Sequence, residues 1–398
     1  MNCLWIGRYI PYPLDAGAKL YSAKLAESLA AAGVFVRFTG FGSVKELPSE
    51  ACSVDWVPVP NGSRRGIPAL LLTALPLQAA LDSTTAYVTL LEAQLRERWD
   101  AIVLDSYGAG WALKRCLAFC ERNHDPRAVL VHVSHNHEEL LWRSMAYDAK
   151  GSLLKRLALW QNYYKVRALE RCVVRSVDLL TTITDEDRRS LGGNVEAKRT
   201  LTVTPGYSGL IARERRITSS TPRRVLLVGS FRWVVKQENL TRFVECADPV
   251  FTRHGIGLDV IGDIPSPLLM KLQSRCLATR FHGFIEDMSP FFERARIAVV
   301  PEIFGGGFKL KLLDYIFGRL PVAMVSQAAA GLVDEIRRDT FVSKDLPALV
   351  QSVIANIDNI DELNRMQESA FAHSKARFRW SDRGRQLKQA ISEAHIGC

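Results

Sequence analysis

No stretch of this 398-residue chain is apolar for long enough to cross a bilayer as a helix. The nearest is 66–81, GIPALLLTALPLQAAL, which is uncharged but broken by Pro68 and Pro76 and preceded by Arg64 and Arg65. A basic pair beside an apolar segment is what a surface-docking element needs. A buried helix of the first domain is the other reading, and the sequence leaves both open. Cysteine is sparse too, with eight scattered residues. Cys116 and Cys120 lie one helical turn apart, but no second pair at zinc spacing accompanies them. The expectation is reduced core cysteines in a cytoplasmic protein. No basic, apolar and small-residue succession precedes the first strand pattern, Cys3-Leu4-Trp5-Ile6, so no secretory signal is expected. There is no internal repeat and no low-complexity tract. The basic residues are spread rather than arranged around stacking aromatics, which excludes nucleic acid as the expected partner.

What is present describes a soluble globular protein: 47% hydrophobic and 24% charged residues. The length suffices for two domains, each with its own core. The net charge of +10 suits a membrane surface or a diphosphate-bearing substrate. Short apolar strands alternate with helical stretches, the pattern of a parallel sheet covered on both faces. The expected strands are 2–6, 34–38, 54–59, 101–104, 128–133, 179–183 and 201–204, then 224–228, 257–261, 280–282, 297–300, 320–325 and 340–342. Residues 205–222 are polar, with Gly206, Gly209 and a Thr-Ser-Ser-Thr-Pro end, and read as a connection. The division is therefore 1–205, a linker at 206–222, and 223–378, followed by a helical pattern within 379–398.

The stretch with the most chemistry is Pro301–Val325, PEIFGGGFKLKLLDYIFGRLPVAMV. The apolar run Ile297–Val300 leads into it as a buried strand. Gly305, Gly306 and Gly307 allow a sharp turn and a close approach of ligand to backbone. A helix is expected from Phe308 to Phe317, ended by Gly318. Its first amide groups have no internal partners, and the macrodipole adds positive potential there. Lys309 and Lys311 fall in its first turn, where cations are unfavourable unless an anion neutralises them. The loop thus reads as a phosphate or diphosphate cradle. Asp314 follows Lys311 on the same face, and a carboxylate can accept both hydroxyls of a ribose.

The segment GGGFKLKLLDYIFGRLPVA resembles the donor-site helix of GT4-like retaining glycosyltransferases with the GT-B fold, α/β proteins of two Rossmann-like domains facing each other across a cleft. Their pattern ends in Glu, where this chain has the shorter Asp314. An earlier acidic position of many members is Gly306 here. The resemblance implies an N-terminal acceptor domain, a C-terminal donor domain and a last helix, Arg379–Ala394, that crosses back to the first. It extends to Gly229-Ser230-Phe231, with Arg232 and Lys236 as the basic pair that neutralises the leaving diphosphate. The strand Phe281-His282-Gly283-Phe284 matches the family's approach to its base-binding loop. In the first domain, Ala16-Gly17 partly matches a Gly-Gly loop that lies across the diphosphate, which makes Gly17 a donor contact; a plain strand-to-helix turn is the alternative. Ser134-His135-Asn136-His137-Glu138 resembles the family's His-Asn-x-Glu segment. His135 then faces the transferred sugar, either orienting a hydroxyl or stabilising developing charge; His137 is the alternative. Asp105 is read as a helix cap.

The basic, aromatic-rich stretch Leu140–Arg175 reads as one long helix whose cationic face is left open between membrane contact and ordinary snorkelling. Asp185-Glu186-Asp187 opens a helix, where acids are expected, and is rejected as a metal site.

The function implied is hexosyl transfer from a nucleotide diphosphate sugar, UDP- or GDP-linked, to an acceptor hydroxyl with retention. The acceptor is a glycan, glycolipid or small molecule, as in polysaccharide or glycoconjugate biosynthesis. His135 and Lys309 are the catalytic candidates. Gly17, Gly229, Arg232, Lys236, Gly305, Gly306, Gly307, Phe308, Lys309, Lys311 and Asp314 are the donor-binding ones. No metal or other cofactor is expected, and peripheral contact with the inner face of an anionic membrane is compatible. The rivals are a nucleotide-sugar epimerase, which would want more carboxylates than this site supplies, and a non-catalytic nucleotide-sugar-binding subunit.

Overall fold

The computed structural model describes residues 1–47, 53–60, 72–122, 127–148, 152–192, 199–305 and 307–396. The chain divides into two compact units, Met1–Gly206 with Trp380–Cys398, and Tyr207–Arg379.

In chain order the first unit contains β1 (Asn2–Tyr9), α1 (Gly17–Ala31), β2 (Phe35–Phe41), β3 (Val54–Val59), α2 (Leu77–Asp82), α3 (Thr85–Gln94), β4 (Ala101–Asp105), α4 (Leu113–Arg122), β5 (Val129–Val133), α5 (Glu138–Tyr147), α6 (Leu153–Ser176), β6 (Leu179–Thr182), α7 (Asp185–Gly192) and β7 (Arg199–Thr202). The sheet order is β3-β2-β1-β4-β5-β6-β7, parallel at every pairing. Central strands of such a sheet are covered on both faces, so they carry continuous apolar runs rather than alternation. Cys3, Leu4, Trp5 and Ile6 of β1 and Ala101–Leu104 of β4 are accordingly all buried. The strand order reverses between β1 and β4, which opens a crevice at their carboxyl ends.

The second unit contains β8 (Arg224–Val228), α8 (Val234–His254), β9 (Gly257–Ile261), α9 (Ser266–Gln273), β10 (Thr279–Phe281), α10 (Ser289–Arg294), β11 (Ile297–Val300), α11 (Lys311–Phe317), β12 (Val322–Val325), α12 (Asp334–Arg338), β13 (Phe341–Ser343), α13 (Leu346–Asn356) and α14 (Ile360–Lys375). Its parallel sheet runs β10-β9-β8-β11-β12-β13, with the reversal between β8 and β11. The last helix, α15 (Trp380–Ile396), packs on α1 of the first unit. Gly384 makes that crossing possible, because a Cβ there would lie 1.9 Å from the Ser28 carbonyl oxygen. Lys388 donates to the Ala32 carbonyl at 2.7 Å, satisfying an end of α1, and Arg383 donates to the Thr204 carbonyl at 2.7 Å.

The expected single helix over Leu140–Arg175 is two helices, α5 and α6. The sequence places Gly151 between them, and the Ser152 hydroxyl caps α6 by accepting the Lys155 amide. The start of α5 is capped from a distance instead: the buried Glu170 carboxylate of α6 accepts the amides of Glu138 and Glu139, both at 2.8 Å. Most of 66–81 lies outside the described residues or in turns. Its end forms α2, whose first amide, that of Leu77, donates to Asn162 Oδ1 at 2.8 Å. Among the described residues no helix is long and apolar enough to cross a membrane.

One buried carboxylate ties the second unit together. Asp248 on α8 accepts the amides of Leu277, Ala278 and Thr279 at 2.9, 3.0 and 2.8 Å, and the Thr279 hydroxyl at 2.7 Å. Stranded buried donors cost about 1–3 kcal/mol each. Asp248→Ala is therefore expected to lower stability by about 3 kcal/mol. Urea unfolding checks this, and a loss smaller than that of an ordinary surface substitution refutes it.

Candidate functional site

At the β8/β11 reversal the second unit gathers three charged side chains. The Lys311 ammonium, from the first residue of α11, lies 2.6 Å from Glu302 Oε1. Glu302 follows β11 and is buried, and its Oε2 has no hydrogen-bond partner among the described residues. Burial alone would raise the Glu302 carboxyl, but the ammonium groups of Lys311, Lys309 and Lys236 outweigh it and hold the carboxyl below its ordinary value. The end of β8 supplies the floor, since a Cβ on Gly229 would sit 3.4 Å from Lys311 Nζ. Lys236 occupies the first turn of α8, which has no acidic residue in that turn and no side-chain cap. Burial and the Lys311 ammonium push its amine below the usual lysine range, partly opposed by Glu302. Two lysines and a helix start against one carboxylate leave a positive excess, which an anion would neutralise.

The glycine loop is built differently from the sequence expectation. Helix α11 begins at Lys311 rather than Phe308, so Lys309 is not a first-turn cation. Lys309 folds back instead and donates to the carbonyls of Gly305 at 3.0 Å and Gly307 at 3.3 Å. Those glycines have φ of +97° and +71°, a region L side chains rarely adopt. Gly306 lies outside the described residues. The approach to the loop is fixed by Asn239, a buried residue of α8. Its Oδ1 accepts the amides of Ile303 and Phe304, both at 3.1 Å, and its Nδ2 donates to the Phe304 carbonyl at 3.0 Å. Phe308 is partly buried and packs near Phe378, with ring centroids 5.8 Å apart.

Two further sequence candidates have partners of their own. Arg232 is 79% exposed and pairs with Asp263, so it and Lys236 do not form one basic pair. Side chains two residues before a helix and in its first turn need not share a face. Asp314 of α11 meets the Tyr207 hydroxyl; burial pushes its carboxyl up to about 6, although Tyr207 and Lys311 both favour the charged form. Tyr207 itself stacks on Phe317 with centroids 4.3 Å apart. Just after β10, His282 Nε2 lies 2.6 Å from Asp259 Oδ1, which Arg224 also holds.

In the first unit, β4 and β5 are adjacent, and this joins Asp105 to His135. His135 Nε2 lies 2.6 Å from Asp105 Oδ1, while Asp105 Oδ2 accepts the indole N–H of Trp5 at 2.9 Å. Asp105 is thus not the helix cap expected from its position. A short acid after a strand reads locally as a cap, but here its partner comes from the next strand. Burial would raise the Asp105 carboxyl, yet His135, Ser22 and Trp5 together lower it. Burial would likewise lower His135, yet the Asp105 carboxylate raises it. With Nε2 engaged by a carboxylate, Nδ1 is the nitrogen left to meet a ligand. Ser106, the next residue after Asp105, has φ 65° and ψ 164°, a region nearly confined to glycine, and such strain concentrates at functional positions. His137 is engaged elsewhere, with Nδ1 2.8 Å from the Ser190 hydroxyl. Gly17 is the first residue of α1, whose opening turn has neither an acid nor a side-chain cap.

His137, Glu139 and Glu170 place one potential ligand atom each within 4.8 Å. Glu170 is committed to the α5 amides and Glu139 to Arg167 and Arg171, so the set is already neutralised without an ion. Asp185-Glu186-Asp187 opens α7, with the Thr184 hydroxyl capping the Asp187 amide at 3.0 Å.

Two family models match the chain. Residues 16–206 match the Glycosyl transferase 4-like domain, and residues 222–359 match Glycosyl transferases group 1. No curated protein sequence matches significantly. Among solved structures, sucrose-phosphate synthase from Thermosynechococcus elongatus superposes with a TM-score of 0.71 at 16% identity, covering 100% of both chains. HepE from Anabaena in complex with UDP and glucose gives 0.64 at 13% identity, covering 99% of this chain and 100% of that one. WaaG, a glycosyltransferase involved in lipopolysaccharide biosynthesis, gives 0.60 at 18% identity over 98% of each. At such identities the likeness is one of fold.

Proposed function

The chain belongs to the GT4-like glycosyltransferases of the GT-B fold and transfers a glycosyl group from a nucleotide sugar; from that premise we propose a UDP- or GDP-hexose donor, retention at the anomeric carbon, and an acceptor hydroxyl on a glycan, glycolipid or related small molecule. The observation that carries the reading is the Lys311–Glu302 pair beside Gly229 and Lys236. Breaking the glycosidic bond leaves charge on a departing diphosphate. Preorganised ammonium groups stabilise that charge more than they stabilise the ground state. Lys311 and Lys236 take this role. Lys309 acts indirectly, holding the Gly305 and Gly307 carbonyls so that the loop keeps its shape. His135 offers Nδ1 to a hydroxyl of the transferred sugar, whose transition state is oxocarbenium-like. Asp314 accepts a ribose hydroxyl after exchanging its contact with Tyr207. No metal is needed for this reading, because the lysines supply the positive charge.

A thermal-shift screen with UDP, GDP, ADP and dTDP sugars tests the donor. UDP- or GDP-sugars are expected to give the largest shifts; preference for ADP or dTDP refutes the base assignment. Asp314→Asn is expected to raise the donor KM about tenfold to a hundredfold, the worth of one lost charge-assisted hydrogen bond, with kcat little changed. An unchanged KM removes Asp314 from the ribose site. The anomeric configuration of the product, read by NMR, tests retention.

A further inference from the structure

Helix α6 has two apolar faces, and among the described residues only one of them packs against a core. The face against the first unit's core carries the buried Tyr163, Val166, Val173 and Val174. About 120° around the helix from that face, Leu153, Leu157, Trp160 and Tyr164 fall within about 60° of one another at helical spacing. Leu153, Leu157 and Tyr164 are 73%, 65% and 56% exposed, and neighbouring Leu154 is 79% exposed. Trp160 joins the stripe to α5 through Tyr147, with ring centroids 4.9 Å apart; Tyr147 is itself exposed and lies under the Arg143 guanidinium. An ordinary surface helix has one apolar stripe and turns it inward. Three exposed leucines within two turns therefore call for a second apolar environment.

The charges on the same helix say which environment. Of the seven charged residues in α6, six are basic: Lys155, Arg156, Lys165, Arg167, Arg171 and Arg175. The single acid, Glu170, is buried under the start of α5. Arg156 flanks the leucine stripe on one side and Lys165 on the other, while Arg167 and Arg171 are paired with Glu139 of α5. Leucines projecting between cations, with tryptophan and tyrosine beside them, match the layers of an anionic bilayer surface: acyl chains, carbonyl region and phosphate headgroups. A second copy of this chain does not fit, since a two-fold contact would set like cations against each other.

We infer that the exposed face of α6, with Tyr147 of α5, docks the protein on an anionic lipid surface. The leucines enter the acyl boundary and the lysines and arginines engage the headgroups. This face takes no part in donor binding, so it stands apart from the donor assignment.

Co-sedimentation of the full-length protein with vesicles tests it. Vesicles of phosphatidylcholine mixed with phosphatidylglycerol are expected to bind about tenfold or more tightly than phosphatidylcholine alone, with an affinity that falls as salt rises. Leu153→Ser with Leu154→Ser and Leu157→Ser is expected to abolish binding while leaving donor-induced thermal shifts intact. Arg156→Gln with Lys165→Gln is expected to lower binding to the mixed vesicles about tenfold and to flatten the salt dependence. Failure of the wild type to bind either vesicle overturns the inference, as does binding unchanged in both variants. A wild-type dimer that the leucine variant converts to monomer in the ultracentrifuge, without vesicle binding, overturns it in favour of self-association.

Discussion

Lys311→Ala is expected to lower kcat/KM by about 10²–10³, the typical cost of removing one preorganised group that stabilises developing negative charge. The loss follows from position. Lys311 meets both the Glu302 carboxylate and the floor made by Gly229. Binding of a nucleoside diphosphate should weaken far more than binding of the nucleoside alone, and equal losses refute a diphosphate role. The substitution also leaves Glu302 buried without its ion-pair partner, and breaking a buried pair costs about 3–5 kcal/mol. Stability and function therefore have to be separated. Lys311→Ala combined with Glu302→Gln removes the orphaned charge, so the double variant should regain most of the lost thermal stability and none of the lost turnover. Recovery of turnover would show that the lysine serves only to neutralise Glu302. The Glu302 carboxyl is held below its ordinary value, so its contribution to stability is present above the unfolded pKa of 4.5 and is lost as pH falls through the folded one.

His135→Ala is expected to lower kcat by about 10²-fold or more, within the range for a side chain that binds or moves charge at a reacting centre. Asp105→Asn separates its two roles. The amide keeps nearly the same shape and can still accept from Trp5, but it no longer stabilises an imidazolium. In the wild type the His135 pKa is raised above 6.5, so this group's contribution is full below 6.5 and is lost as pH rises through the folded value. The Asp105 pKa is lowered, so its contribution is present above 3.8 and is lost as pH falls through its folded value. The pair thus stabilises the protein between these limits. In Asp105→Asn, burial is no longer opposed by that carboxylate, and the His135 pKa measured by NMR is expected to fall. Any limb of the kcat profile set by the imidazolium should move to lower pH with it. A profile identical to the wild type would reduce Asp105 to a structural support.

Much of this was readable locally. The apolar runs of β1, β4, β8 and β11 are continuous because their sheets are covered on both faces, so they appear as strands in the sequence itself. The strand, glycine loop and lysines at Pro301–Val325 share one short segment, and so mark it as a candidate site without knowledge of the rest. What could not be read was which charges meet. Lys309 and Lys311 look equivalent two residues apart, yet one is spent on loop carbonyls and the other faces Glu302. The difference arises because the glycine turn delays the helix to Lys311. Glu302 carried no motif to mark it, and Asn239 is a plain helical asparagine until the loop is laid against it.

By itself the sequence determined two parallel-sheet units, their strands and the glycine- and lysine-bearing segment that follows β11, because hydrophobic period and glycine placement act over a few residues. The tertiary structure alone decided the pairs Asp105–His135, Glu302–Lys311 and Glu170 with the start of α5. In a parallel sheet, neighbours at the carboxyl edge are chosen by strand order rather than chain distance. Electrostatic partners at that edge are therefore fixed only when the strands take their places.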